Sequence, residues 1–372
     1  MRLTVAGWCC TRPARFSHNK QGGGGGSCRS SNREVASIGD DLMSKISRRW
    51  TSLGNPAWRS AGVSAFRVLQ WNILADGLAQ NGDFIKVPED ALEWEARWPL
   101  IQQEIDESGA HLICMQEVNT YDDFLEPSLR SKGYDSFFLP KNQSPATRYG
   151  KQKDGSALFY KSDRFSLVDE PLGRPYLHNG KMMSQGVAAL RLKDKESGRD
   201  VLVATTHLKA KNGEGNEDTR TKQVSQMATW IGDMIAVHDD AKSNGASEPG
   251  RSNSSSPPPD PAIIICGDFN DVPESPPCIQ LSESPLGMAS LWNVPVSGEK
   301  EEDLITTFKH RSGGEAKRVI DYIWFSQQSG LVPSRRWMMP SESEIGPNGL
   351  PGVHYGSDHL AVCVEFEWGA PK

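Results

Sequence analysis

From Phe66 onward the chain repeats one arrangement: a short apolar run that stops abruptly on a polar residue. Residues 66–71 (FRVLQW) lead into Asn72, and residues 112–115 (LICM) into Gln116 and Glu117. Residues 201–206 (VLVATT) lead into His207, and residues 263–266 (IIIC) into Gly267, Asp268, Phe269 and Asn270. Runs this short and this rich in Val and Ile read as buried strands. Further strands are expected at 156–160, 187–192, 319–325 and 360–367. Trp94, Trp98, Ile101 and Ile105 recur at helical spacing, with Pro99 marking a start or a kink. Residues 219–237 read as a second helix. Strands and helices mixed in one continuous stretch predict an α/β layered fold. In such folds ligands sit at strand ends, where loops present chemical groups. The residues that end the runs are therefore the candidates for chemistry.

Taken singly, each has a plain structural reading. Glu117 could be a loop residue or a helix cap. The Asp of GDFN could bond nearby backbone amides in a turn. His207 could be a satisfied core histidine. Asp321 is harder to place so, because it falls inside the apolar run 319–325 and a charge there is costly unless paired. His359, in the Ser357-Asp358-His359 stretch before the last strand, is a natural partner. A carboxylate that orients an imidazole is a catalytic arrangement. The joint occurrence of these features makes the plain account improbable.

The ends and the insert differ from this pattern. Residues 1–33 carry Arg2, Arg12, Arg15, Lys20, Arg29 and Arg33 and no acidic residue. That is the composition of an organelle-targeting presequence, with the mitochondrion expected first and a plastid or the cytoplasm as alternatives. Residues 22–26 are a glycine run with no Gly-Lys-Ser/Thr after it, a linker rather than a phosphate loop. The expected organisation is a disordered basic region over 1–60 and a catalytic domain over 61–372. A disordered Ser/Pro/Gly-rich insert is expected at 239–261. The net charge of −6 with no long basic run argues against broad nucleic-acid backbone binding, although a local basic pocket can suffice. No apolar stretch approaches the roughly 18 residues that a membrane helix needs, so no membrane association is expected. The seven cysteines form no Cys-x-x-Cys pair, and neither a zinc site nor a disulfide framework is expected.

The order of the polar stretches brings a resemblance. Trp71-Asn72, Gln116-Glu117, Thr206-His207-Leu208, Gly267 to Asn270, Asp321-Tyr322-Ile323 and Ser357 to His359 resemble the six signature stretches of the endonuclease/exonuclease/phosphatase superfamily. The resemblance spans about residues 66 to 368. It implies a four-layer α/β sandwich, two mixed sheets packed together with helices outside. Within the superfamily, QWNILADGL at 70–78, HLICMQEVNTYDDF at 111–124, ESGRDVLVATTHLKAK at 196–211, TTFKHRSGGE at 306–315 and IGPNGLPGVHYGSDHLAV at 345–362 are similar to the nocturnin group. Where deadenylase relatives tend to place an aromatic and then a proline, this chain has Lys209-Ala210-Lys211. Nocturnin's Lys-Ala-Arg keeps the charge there with a fork-shaped guanidinium instead.

The resemblance implies a Mg²⁺-dependent phosphoester hydrolase, with Mn²⁺ as an alternative ion. The implied substrate is NADP(H), losing its 2′-phosphate to give NAD(H), and the alternative is a poly(A) RNA tail trimmed by a 3′–5′ exoribonuclease. A binding module that had lost catalysis would lack a carboxylate or a histidine, and none is missing. Glu117, Asn72 and Asp358 are the implied metal-site residues. Asp268 would activate water with Asn270 beside it. Asp321 would hold His359 against the phosphate, with His207 nearby. Lys141, Lys209, Lys211 and Arg311 are the implied substrate contacts.

Overall fold

The computed structural model describes residues 45–53, 60–211, 213–244, 260–296 and 304–369. Its strands in chain order begin with β1 Trp50–Ser52, β2 Ser60–Asn72, β3 Leu112–Val118, β4 Tyr134–Pro140 and β5 Gly155–Lys161. They continue with β6 Phe165–Leu167, β7 Leu172–His178, β8 Lys181–Asp194, β9 Asp200–His207, β10 Ala262–Asp268 and β11 Met288–Ser290. The last are β12 Thr307–Arg311, β13 Gly314–Arg318, β14 Asp321–Ser326, β15 Leu331–Trp337 and β16 Val362–Gly369.

These strands form two mixed sheets. One runs β1-β15-β16-β2-β3-β5-β4, and the other β11-β14-β10-β9-β8-β6 with β7 also paired to β8. Within each sheet one central pair is parallel, β2 with β3 and β9 with β10, and the other described ladders are antiparallel. The pattern of β9 and β10 shows why the sheets stack. Successive side chains on a strand point to opposite faces. Val201, Val203, Ile264 and Cys266 join Leu112 and Cys114 of β3 in one core cluster, with Cys114 meeting Cys266 between the sheets. Their neighbours Leu202, Ala204, Ile263 and Ile265 pack on Val224, Met227 and Ile231 of the helix Glu214–Asn244. Both faces are covered, so the runs are apolar without alternation. Full burial of each such aliphatic side chain stabilises by about 1.5–3 kcal/mol. On the first sheet the helix Trp94–Ser108 buries Ile101 and Ile105.

Several elements depart from expectation. The first of these helices starts at Trp94, five positions ahead of Pro99, and continues through the proline. Pro99 and Glu95, whose carbonyl loses its usual donor, are both solvent-exposed, so the missing bond falls on the solvent side of the helix. The strand expected from residue 319 begins at Asp321, and the last strand begins at Val362. The fold takes in more chain than the expected boundary at residue 61. Trp50–Ser52 pairs with β15, and Ile46 and Leu53 are buried in the core. Most of the basic region at 1–60 lies outside the described residues. Of the insert expected at 239–261, the helix occupies positions up to Asn244 and residues 245–259 lie outside the described set.

Candidate active site

Strand register assembles the polar residues along one edge of both sheets. In β10, Asp268 lies level with His207 of β9 on one side and Asp321 of β14 on the other. In the first sheet Asn72 lies level with Gln116. β16 runs antiparallel to β2 from Val362 opposite Gln70, which brings Ser357–His359 to the same edge. Gly267 is required here, because a Cβ on it would lie 2.5 Å from the Thr206 carbonyl oxygen. Any side chain would push β9 and β10 apart.

The ends are then fastened to one another. The Ser357 hydroxyl donates to the Asn72 carbonyl at 2.6 Å, and the Trp71 indole N–H donates to the His359 carbonyl at 2.7 Å. Beneath the site Gln70 donates to Gln116 at 2.6 Å, and Gln116 donates to the Thr205 hydroxyl at 2.8 Å, which ties the two sheets together. At Glu117 the pairing of β3 with β5 slips and φ is +56°, so the side chain turns off the strand towards the cleft. A left-handed conformation is unfavourable for glutamate by about 1–2 kcal/mol. Asn270 has φ +55°, which Asn tolerates better.

His359 Nδ1 meets Asp321 Oδ2 at 2.9 Å, both groups being buried. Burial alone would depress this imidazole, but the carboxylates of Asp321 and Asp358 outweigh it and push it up to about 9. Asp268 lies 3.8 Å from His359 Nε2 and 3.5 Å from His207 Nε2. Burial raises its carboxyl to about 6, against the pull of His359. Burial and the Lys141 ammonium hold His207 well below the usual histidine range, so its ring is neutral at pH 7. Asn270 donates its backbone N–H to Asp268 Oδ1 at 2.9 Å and its amide to the Leu208 carbonyl at 3.1 Å, fixing the loop that carries Asp268.

Two expected metal-site residues are otherwise engaged. The Asn72 amide oxygen accepts from the Leu74 N–H at 3.0 Å, which turns its NH₂ towards Asp268 at 3.0 Å and Glu117 at 3.3 Å. Asn72 therefore presents donors to the two carboxylates rather than an oxygen to a cation. Asp358 Oδ2 is held by Lys309 at 2.6 Å and Arg311 at 3.4 Å. Burial works against its charge, but Lys309, His359 and Arg311 keep its carboxyl far below the usual range. Glu117 remains open. Half exposed, it accepts from Ala75 N–H and Asn72 and keeps lone pairs facing the cleft, which suits one hard cation that retains waters. Asp268, Asp321 and His359 also offer ligand atoms within 4.8 Å of one another. A His359 ring bonded to Asp321 and protonated at neutral pH has no lone pair to give, so Glu117 is the better anchor.

The cleft above Glu117 encloses about 750 Å³. Glu117, His207, Lys141, Lys209 and Lys211 line it together, with Arg148 and Lys153. Arg220, paired with Asp271, binds the carbonyls of Lys209 and Lys211 at 3.0 and 2.9 Å, so the loop backbone that carries both lysines is clamped. The Lys141 ammonium is paired with Asp154. Arg311 stands apart from this lining, over the Phe84 ring and against Asp358. Sequence reasoning missed Lys309, Arg148 and Lys153. Lys309 lay inside the quoted TTFKHRSGGE stretch, whereas the other two carried no signal.

Residues 69–359 match the Endonuclease/Exonuclease/phosphatase family. The chain belongs to the endonuclease/exonuclease/phosphatase family. It is 36% identical over 331 residues to nocturnin of Xenopus laevis, covering 88% of this chain and 79% of the frog protein. It is similar at 27% identity to the CCR4-Not complex 3′-5′-exoribonuclease subunit Ccr4 of Candida albicans, over 81% of this chain and 41% of that one. The human nocturnin catalytic domain with bound sulfate superimposes with a TM-score of 0.64 at 28% identity, covering 87% of this chain and 97% of that one. This member of the family is a hydrolase of phosphoester bonds, built on the two mixed sheets with flanking helices that its relatives share.

The site gives a pH dependence with a definite sign. A carboxylate such as Asp268 can act as a base only when ionised, and a His359 ring whose Nδ1 is taken by Asp321 can donate to an anion only when protonated. kcat/KM should rise with pH through about 6 and fall above about 9, with a plateau between. A profile still rising at pH 10, or flat from pH 4 to 7, would contradict these roles.

Proposed function

We propose that the chain removes the 2′-phosphate of NADP⁺ or NADPH, giving NAD(H) and inorganic phosphate, with Mg²⁺ held by Glu117. The observation that carries this reading is the bounded cleft in which Lys141, Lys209 and Lys211 surround Glu117 and His207. A 2′-phosphate beside a pyrophosphate packs several negative charges into a few ångströms, and clustered ammonium groups match it. The bound sulfate of human nocturnin, a tetrahedral anion in a relative, is in keeping with this. With an overall charge of −6, the basic residues gathered at the cleft suit a compact dinucleotide better than a long backbone.

In this mechanism Asp268 takes the proton of the attacking water, and its Asn72 and Asn270 bonds hold its orientation. Water oxygen bonds to phosphorus as the bond to the 2′-oxygen breaks, and the leaving oxygen takes up a proton, returned by Asp268 through solvent water, to end as the ribose hydroxyl. His359 donates through Nε2 to the phosphate, its charge stabilised by Asp321. His207 approaches the same phosphate as a neutral ring. Glu117 would hold a divalent cation, which would supply positive charge against the phosphate.

Lys209→Ala and Lys211→Ala should each raise KM for NADPH about tenfold or more, since a charge-assisted bond contributes roughly 1.5–3 kcal/mol. Hydrolysis of a generic phosphodiester should change little. Phosphate release from NADPH and shortening of an A-tailed RNA are followed in parallel. Efficient, salt-sensitive RNA shortening with no phosphate from NADPH would replace this reading by the exoribonuclease one, which the similarity to Ccr4 supports.

Residues 1–33 are proposed to direct the chain to mitochondria. A reporter fused behind them should localise there and be shortened. A diffuse reporter with its N-terminus intact would refute this.

A further inference from the structure

We propose that Lys309 is a catalytic residue whose ammonium binds the scissile phosphate beside His359, and that the Lys309–Asp358 pair stands where a second divalent cation would. The inference rests on the reading of this site as the phosphate site. Lys309, on β12, places Nζ 2.6 Å from Asp358 Oδ2 and 3.5 Å from His359 Nε2. Nδ1 of His359 is engaged by Asp321, so Nε2 is the face left for substrate. The nearest carboxylate oxygens to Nε2 lie 3.8 and 3.9 Å away, too far to satisfy it. Two cationic nitrogens thus sit side by side, each braced from behind by its own carboxylate and each with a donor to spare. Like charges this close repel, and a phosphate oxygen seated over the pair, accepting from both nitrogens, would relieve that repulsion.

The same geometry decides the number of metal ions. Asp358 is a buried carboxylate that could supply a hard ligand, but its Oδ2 already carries an ammonium and, at 3.4 Å, a guanidinium. A cation approaching it would have to displace Lys309. Glu117, bonded only by neutral donors, faces no such competition. The chain therefore takes one divalent ion at Glu117 and uses a fixed lysine charge on the other side of the phosphate.

Mn²⁺ titrated into the full chain without substrate, with free ion followed by electron paramagnetic resonance, reads the ion count independently of what the substrate is. One ion per chain is expected, retained in Asp358→Asn with Kd changed by less than about threefold and lost in Glu117→Gln. Lys309→Met should keep the ion but lower kcat about 10- to 100-fold, as for loss of one charge-assisted contact. Lys309→Arg should recover part of that loss, and Lys309→Met with Asp358→Asn should lose no more than Lys309→Met alone. Melting curves establish that each variant is folded. A second ion in the wild-type chain, loss of the ion in Asp358→Asn, or an unchanged kcat in Lys309→Met would overturn the proposal. Measuring kcat on A-tailed RNA as well as NADPH separates failure of the lysine role from a wrong substrate.

Discussion

Glu117→Gln should lower metal-dependent turnover by roughly 10³-fold, equivalent to the several kcal/mol that a divalent cation contributes at a phosphoryl group. The substitution keeps the shape of the side chain and its acceptance from the Ala75 N–H, and removes the charge and the acceptor that faces the Asn72 amide. Glu117 is half exposed at a strand bulge, so the core beneath it is untouched and the melting temperature should move by no more than a few degrees. The residual rate should be the same with and without EDTA. Wild-type turnover that survives both the substitution and EDTA would remove Glu117 from the site.

Asp321→Asn should cost about 10³- to 10⁴-fold in kcat, because Asn can bond the His359 ring without stabilising it as a cation. Asp321 is fully buried, fixed by the Thr306 hydroxyl, which accepts from its backbone N–H at 3.2 Å, and reached by Gln70 at 3.5 Å. An amide there will keep its place, so geometry survives while the charge is lost. His359, held up at about 9 largely against its burial by that carboxylate, should then titrate lower. The falling limb of the pH profile should move to lower pH with it. His359→Ala should lose a similar amount, and the double variant little more than either. Additive losses, or an unmoved falling limb, would show that the two residues do not act together.

The strands that end on the site were legible because each is buried on both faces. VLVATT and IIIC cannot alternate when one side meets the other sheet and the other a helix, and an abrupt polar stop then marks the edge. Asp321 was legible for the converse reason, as a charge that burial would not tolerate unpaired. The β12–β13 hairpin was not, since charged and apolar residues mix in the largely buried β12, β13 is exposed to half-buried, and neither follows a period. That gap hid Lys309, whose importance comes from crossing to Asp358, a contact between residues far apart in the chain. The amide orientation of Asn72 was equally beyond sequence, because it is set by one backbone N–H at Leu74.

The segment just ahead of β1 limits how the chain can be matured. Arg48 lies over the Trp337 ring, pairs with the buried Glu104 at 3.2 Å, and bonds the carbonyl of Ala361, two residues beyond His359. Lys45 reaches the same glutamate at 3.6 Å. If residues 1–33 are removed as proposed, these contacts survive as long as the cut falls before Lys45. Trimming a few residues further would strand Glu104 without its cations at about 3–5 kcal/mol, and would loosen the stretch that holds His359.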